Sequence, residues 1–300
     1  MEFDKDFSTE DKCLEYLTQI RWPNGFQCYR CNSNKSRSKS RKRIVCKNCG
    51  HENTPLAGTI FHGTHLGLGV WFRAIWWITS QKHGVSALGL QRTLGLGSYQ
   101  TSWKMLHKLR GAMIRPGRDF LAGEVEVDET FIGAPKPGKR GRGAEGKELV
   151  VIAVEVNDGK IGRIRMRWIP DASGKTLLHF VKHNIVTESI VITDGWKGYL
   201  SLPSQNYKHR IIPGESVGVA ELLPHVHRVA SLLKRWILGT LHGGIETDKH
   251  LDRYLDEFVF RFNRRTSGSR GLLFRRLLEN AVVMAPQTYD EITKKSDHKM

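Results

Sequence analysis

Val125-Glu-Val-Asp-Glu-Thr-Phe-Ile132 reads as a β-strand with an aspartate at its centre. Acids are poor strand formers, so Asp128, set between Val127 and Glu129, is not placed there by backbone preference. Downstream, residues 134–148 form a loop crowded with Gly, Pro and basic residues. Leu149-Val-Val-Ile-Ala-Val-Glu-Val156 is a strand of buried composition, Asn157-Asp-Gly-Lys160 a hairpin turn, and Ile161 to Ile169 a third strand. Gly174 to His183 has helical spacing, and Ser189-Ile-Val-Ile-Thr-Asp194 is a further strand ending on an aspartate. Helices are predicted over about His225 to Leu238 and Lys249 to Phe262. The order β-β-β-α-β-α is that of an α/β, RNase-H-like mixed sheet, although periodicity does not reveal strand order.

Upstream, Pro116-Gly117 marks a boundary. Before it, Trp71, Ile75, Ile78 and Thr79 repeat at helical spacing, Ser86 is placed to cap a short helix through Leu94, and Gly95-Leu-Gly97 makes a turn. Ser98 is placed to open a helix from Tyr99 to Met113. Short helix, glycine turn and longer helix suit a helix-turn-helix DNA-binding unit, though such pairs occur in any helical domain. At the start, Phe7, Cys13, Leu14, Leu17 and Ile20 share one helical stripe, with Ser8 or Thr9 as cap. The expected domains are an N-terminal helix (1–20), a ribbon (21–56), a helical DNA-binding region (57–116), the mixed-sheet domain (117–285) and a tail (286–300).

The ribbon rests on Cys28-x-x-Cys31 and Cys46-x-x-Cys49, with 14 residues between the pairs. Each pair suits a tight knuckle, and two knuckles close the tetrahedral four-thiolate site of structural zinc. Between them stand Lys35, Arg37, Lys39, Arg41, Lys42 and Arg43, and no acid occurs from Arg21 to Cys49. A basic run is often only a solvated face, but on a metal-held hairpin it suits contact with DNA phosphates.

Asp128 and Asp194 are candidates for a second metal. Carboxylates at the ends of neighbouring strands converge, and can hold Mg²⁺ or Mn²⁺ while leaving positions open to water and phosphate. Taken singly, an aspartate at a strand end also serves as a turn or helix cap.

Four blocks carry a family resemblance. Val125–Gly133 and Ile192-Thr-Asp-Gly-Trp-Lys-Gly-Tyr199 resemble the first two catalytic blocks of bacterial insertion-sequence transposases of the ISXO type, in the family numbered fifteen-ninety-five. His225-Val-His-Arg-Val-Ala-Ser-Leu-Leu-Lys-Arg-Trp236 resembles their third block, and Tyr254–Arg265 their C-terminal signature. The four cysteines, Ala57-Gly-Thr-Ile-Phe61 and Trp71-Phe72 also fit, so the likeness spans roughly residues 10 to 280 in order. It implies a DDE-type transposase with an RNase-H-like fold that cuts element ends and joins them to target DNA with divalent metal. Carried over, Asp128 and Asp194 are the first two ligands, the third position falls on His227, and Lys234 matches the lysine that follows. Seven residues separate His227 from Lys234, two helical turns, so both point to one face. Imidazole suits Mn²⁺ better than Mg²⁺ and adds no negative charge, and Glu221 is an alternative third ligand.

The chain of 300 residues carries a net charge of +17 and a pI of about 9.8, which calls for a polyanionic partner. Apolar residues at 39% argue for a folded chain rather than a basic tail. The start shows no signal-peptide pattern and no apolar run is long enough to span a bilayer, so the expectation is a cytoplasmic, nucleoid-associated protein without membrane contact. Synapsis of two element ends calls for a homodimer or larger. The competing expectation is a transposase-derived zinc-ribbon DNA-binding protein that no longer cuts.

Overall fold

The structure, a computed structural model, describes residues 3–40, 42–81, 83–133, 147–213, 222–241 and 248–293. Their elements run α1 (Phe3–Asp6), α2 (Glu10–Arg21), β1 (Ser36–Ser40), β2 (Arg43–Cys46), β3 (Glu52–Asn53), α3 (Leu68–Ser80), α4 (Ala87–Leu94) and α5 (Tyr99–Ala112). Then follow β4 (Glu124–Ile132), β5 (Glu148–Asn157), β6 (Lys160–Ile169), α6 (Gly174–Asn184), β7 (Ile190–Thr193), two 3-10 turns (Lys197–Tyr199 and Pro203–Gln205) and β8 (Lys208–Ile211). The chain closes with α7 (Pro224–Leu241), α8 (Asp248–Phe262), α9 (Arg270–Val283) and α10 (Tyr289–Thr293). No helix among the described residues is long and apolar enough to cross a membrane.

The chain divides into two compact units. One joins Met1–Arg115 to Ser267–Thr293, and the other is built on Pro116–Thr266. In the first, the expected caps operate. Thr9 Oγ1 accepts from the Lys12 N–H at 3.3 Å and Ser86 Oγ from Gly89 N–H at 3.0 Å, whereas Ser98 makes no side-chain cap. Gly95 ends α4 at φ 62°, the left-handed conformation glycine tolerates best. The core of this unit is aromatic: Phe7 meets Phe72 edge-on at 5.0 Å, and Phe274 of α9 packs on Phe3 at 5.6 Å and on Phe72 at 5.6 Å. Arg21 ties the same region together, donating to Val282 O at 2.7 Å and Ala57 O at 2.8 Å. Thus α9, expected within the mixed-sheet domain (117–285), packs instead against α2, α3 and α5. Its Phe274, Leu277, Leu278 and Ala281 bury completely there.

The second unit is a five-stranded sheet in the order β6-β5-β4-β7-β8. β4, β5 and β6 are antiparallel neighbours, while β4–β7 and β7–β8 are parallel, the RNase-H-like mixed arrangement. The β5–β6 hairpin turns on Asp158 and Gly159, both at positive φ (50° and 69°), as the Asn-Asp-Gly signature predicts. Alternation assigns the two faces of the sheet. Val125, Val127, Val151, Ala153 and Val191 pack with Leu177, Phe180 and Val181 of α6. α7 packs against β4 and β5 from the other residues of those strands, and α8 against β6. α7 buries Val226, Val229, Leu233 and Ile237, a three-four-four repeat.

Candidate metal centre and nucleic-acid interface

The parallel pairing of β4 and β7 brings the two aspartates near one another. β4 and β7 pair Glu124 with Ile190, Val125 with Val191 and Glu126 with Ile192. Asp128 and Asp194 each lie two residues beyond the last paired residues, Glu126 and Ile192, close enough for their charges to interact. Asp194 stands just past the end of β7, held in an Asx turn by the Trp196 N–H, which donates to its Oδ1 at 2.9 Å. Asp128 Oδ1 accepts from the Glu129 N–H at 2.8 Å, leaving Oδ2 free to face α7.

There His227 Nε2 lies 3.2 Å from Asp128 Oδ2. His227, Ala230, Ser231 and Lys234 present one side of α7 to Asp128, Thr130 and Ile152, and these residues line an open hollow of about 240 Å³. The expectation that His227 and Lys234 share a face is met. Burial, more than the neighbouring Asp194 charge, pushes the Asp128 carboxyl above the usual carboxylate range, against the Glu129 N–H and His227. Burial, then Lys147, draws the Lys234 ammonium below its ordinary value, although Asp128 favours its charge. Lys234 therefore stands in the same hollow as the acid, close enough for the two charges to interact.

The motif around Asp194 is explained residue by residue. Gly195 adopts φ +84°, and a Cβ there would meet Ile211 Cγ2 at 2.8 Å. Trp196 Nε1 donates to Ala172 O at 2.9 Å. A Cβ on Gly198 would lie 2.9 Å from Ala172 O and 2.8 Å from Leu177 Cδ1, so only glycine lets this turn approach α6. Tyr199, 1% exposed, donates its hydroxyl to Glu129 Oε1 and so ties the Asp194 turn back to β4. Sequence pattern alone does not single out Glu129, Tyr199 or Glu126. The signal was visible in the acids flanking Asp128, but their partners lie about 70 and 99 residues away.

Glu126 is 5% exposed and holds the start of α7. Its Oε2 accepts from the backbone N–H groups of His225 (2.9 Å) and Val226 (2.8 Å), and its Oε1 lies 2.6 Å from His225 Nδ1. Glu221, the alternative third ligand, falls outside the described residues.

Donor chemistry here suits a divalent cation with open positions. Two ligands set at right angles around an ion at about 2.1 Å stand about 3.0 Å apart, near the 3.2 Å seen between Asp128 and His227. The same 3.2 Å is a hydrogen bond when no ion intervenes. Asp128, Asp194 and His227 do not form a compact three-ligand group, however. Among the described residues, the four cysteines alone have at least three potential ligand atoms all within 4.8 Å of one another.

Cys28, Cys31, Cys46 and Cys49 converge as expected, with Cys28 and Cys49 Sγ 3.7 Å apart and Cys31 and Cys46 Sγ 3.6 Å apart. A tetrahedral zinc with bonds of about 2.3 Å needs sulfur–sulfur edges of about 3.8 Å, which these two edges approach, and all four sulfurs lie within 4.8 Å of one another, as a structural zinc requires. Burial opposes charge on Cys28, but the N–H groups of Cys31 and Arg30, the Asn53 amide and Cys49 outweigh it and bring the thiol to about 6. At Cys49 the His51 N–H favours the thiolate, yet burial and the three other sulfurs push it up to about 12. Four sulfurs this close need a cation to be thiolates together.

β1 and β2 form the hairpin between the knuckles, and Lys35, Arg37, Lys39, Lys42 and Arg43 are all exposed on it. Arg41 lies outside the described residues. Glu52 on β3 pairs with Lys39 and, at 3.3 Å, with Arg43, so two of the cations share one acid. Its carboxyl is lowered, first by the Lys39 hydrogen bond.

Residues 120–263 match the family model of the ISXO2-like transposase domain, and residues 8–52 that of the transposase zinc-ribbon domain. The chain is 27% identical to an uncharacterized protein in transposable element ISH50 of Halobacterium salinarum, across 86% of this chain and 92% of that protein. Among solved structures it is similar to a chain of the simian T-cell lymphotropic virus intasome in complex with PP2A regulatory subunit B56 gamma. That likeness has 14% identity and a TM-score of 0.33, over 62% of this chain and 64% of that chain, less than two thirds of its length. It is also similar to the Mos1 transposase paired-end complex with left transposon end, at 9% identity and a TM-score of 0.30, over 70% of this chain and 78% of that chain.

Proposed function

We propose, from the match of residues 120–263 to the ISXO2-like transposase domain and of residues 8–52 to the transposase zinc ribbon, that the chain is a transposase of that group, which cuts the ends of an insertion sequence and joins them to target DNA. The observation that carries this reading is the convergence of Asp128 with His227 and Lys234 in one open hollow, with Asp194 near enough for its charge to act on Asp128. In this reading Asp128, Asp194 and His227 hold the metal. A bound Mg²⁺ or Mn²⁺ supplies neutralisation of the scissile phosphate and activation of a water or 3′-hydroxyl. Asp128, fixed by the Glu129 N–H at Oδ1, turns Oδ2 towards His227 in the hollow, and Asp194 is oriented by its Asx turn. Lys234 places an ammonium where it can hold a phosphate oxygen. DNA is the partner, gripped non-specifically by Lys35, Arg37, Lys39, Arg41, Lys42 and Arg43 and met also by the helical region 57–116, in keeping with a net charge of +17. At least a dimer on DNA is part of the proposal, because two ends must be held together, and so is a place beside the prokaryotic nucleoid.

A second reading, a DNA-binding protein that does not cut, draws on the looser spacing of Asp128, Asp194 and His227 compared with the cysteines. The two separate on one comparison. Asp128→Asn and Asp194→Asn keep side-chain shape but remove the anionic oxygen, so each should abolish cleavage and joining of an end-bearing duplex while DNA affinity stays nearly unchanged. Equal cutting by wild type and Asp128→Asn contradicts the transposase reading.

A further inference from the structure

We propose that Glu126 is a positioning residue that sets His227 against Asp128. The inference rests on the metal-site reading above and deepens it. Glu126 and Asp128 are two residues apart on one face of β4, about 7 Å along the strand. The first N–H groups of a helix lack partners within the helix, and its N-terminus carries partial positive charge. The Glu126 carboxylate satisfies two of them, His225 at 2.9 Å and Val226 at 2.8 Å, from the sheet itself. That pair fixes where α7 begins along β4.

The imidazole of His225 adds a second constraint. Its Nδ1 lies 2.6 Å from Glu126 Oε1 and its Nε2 lies 3.1 Å from Gly159 O in the β5–β6 turn. The first turn of α7 is thereby held between the central strand and the hairpin. His227 follows two residues later, and its reach to Asp128 Oδ2, 3.2 Å, is a single contact at a 36% exposed side chain. Such a contact does not hold a helix in place. Glu126, with three contacts at 5% exposure, does. The strand thus divides its acids: Asp128 faces the hollow, and Glu126 delivers the imidazole to it.

Mn²⁺ binding to the full chain, measured by calorimetry without DNA, tests this. Glu126→Ala should weaken Mn²⁺ about 10- to 100-fold, the range for residues that orient a ligand. His227→Ala should weaken it too, but add little in the Glu126→Ala background, since the imidazole is then no longer delivered. Glu126→Gln, which keeps one acceptor oxygen, should recover part of the loss. Should Glu126→Ala fail to fold, Glu126→Gln and His225→Asn carry the same cycle with His227→Ala. Additive losses, or wild-type Mn²⁺ affinity in folded Glu126 variants while His227→Ala and Asp128→Asn both weaken it, would overturn the inference and leave the metal site standing. If Asp128→Asn binds Mn²⁺ as wild type does, the metal-site reading itself fails. If only His227→Ala is without effect, histidine is not a ligand and Glu126 has nothing to position.

Discussion

At the scale of single residues, the centre is a set of short connections between groups far apart in sequence. Tyr199 is a clear case. It is buried, its phenol is raised well above its ordinary value by burial and then by Glu129, and its hydroxyl reaches Glu129 Oε1. Removing the hydroxyl leaves a partly buried carboxylate without that donor. Tyr199→Phe should therefore cost about 1–3 kcal/mol in denaturant unfolding. It should also lower cleavage, because the Asp194 turn loses its tie to β4. His227 permits a sharper experiment. As a ligand, its change to Ala should cut activity severely, while His227→Glu should retain some and shift metal preference from Mn²⁺ towards Mg²⁺. Mild effects from both substitutions would point instead to a local hydrogen bonder, and Glu221→Gln should then be the inactivating change.

At the scale of elements, the ribbon stands on four sulfurs, since its three short strands enclose almost no apolar core. One zinc per chain is expected on metal analysis. Cys46→Ser should unfold residues 21–56 and leave the mixed-sheet domain folded, visible as selective loss of amide protection. Replacing Lys39, Arg41, Lys42 and Arg43 by Ala should weaken binding to any DNA and flatten its salt dependence, by less than the roughly 0.9 per contact of four free cations, because Glu52 already engages two. An unchanged salt slope would remove the hairpin from the DNA interface. These elements were legible because their signals are local: knuckle spacing, an Asn-Asp-Gly turn, and an aspartate within a strand. Lys208–Ile211 was not, because Lys-His-Arg-Ile lacks the alternation of a half-buried strand and is ordered by pairing with β7. The tie of Glu126 to α7 was also hidden, since it joins an acid to backbone N–H groups whose positions no side-chain pattern records.

At the scale of the whole molecule, the chain comprises two compact units, the mixed-sheet unit and one that gathers the ribbon, helices α3–α5 and α9. The aromatic core of the latter depends on residues from both ends of the chain, Phe3 and Phe7 with Phe274. That closure is not legible in the sequence, because nothing local to residues 270–283 records that Phe3 and Phe7, more than 260 residues earlier, cover them. Phe274→Ala should destabilise that unit by about 3–5 kcal/mol, read by thermal unfolding. The reaction on DNA proposed above belongs to the other unit. The most direct measurement is cutting of a duplex bearing the element's terminal repeat by the purified protein, with Mn²⁺, with Mg²⁺ and with chelator. The account predicts cleavage at the repeat boundary with either metal, more with Mn²⁺, none with chelator and none from Asp128→Asn; cleavage that persists in chelator, or in the Asp128→Asn protein, would contradict it.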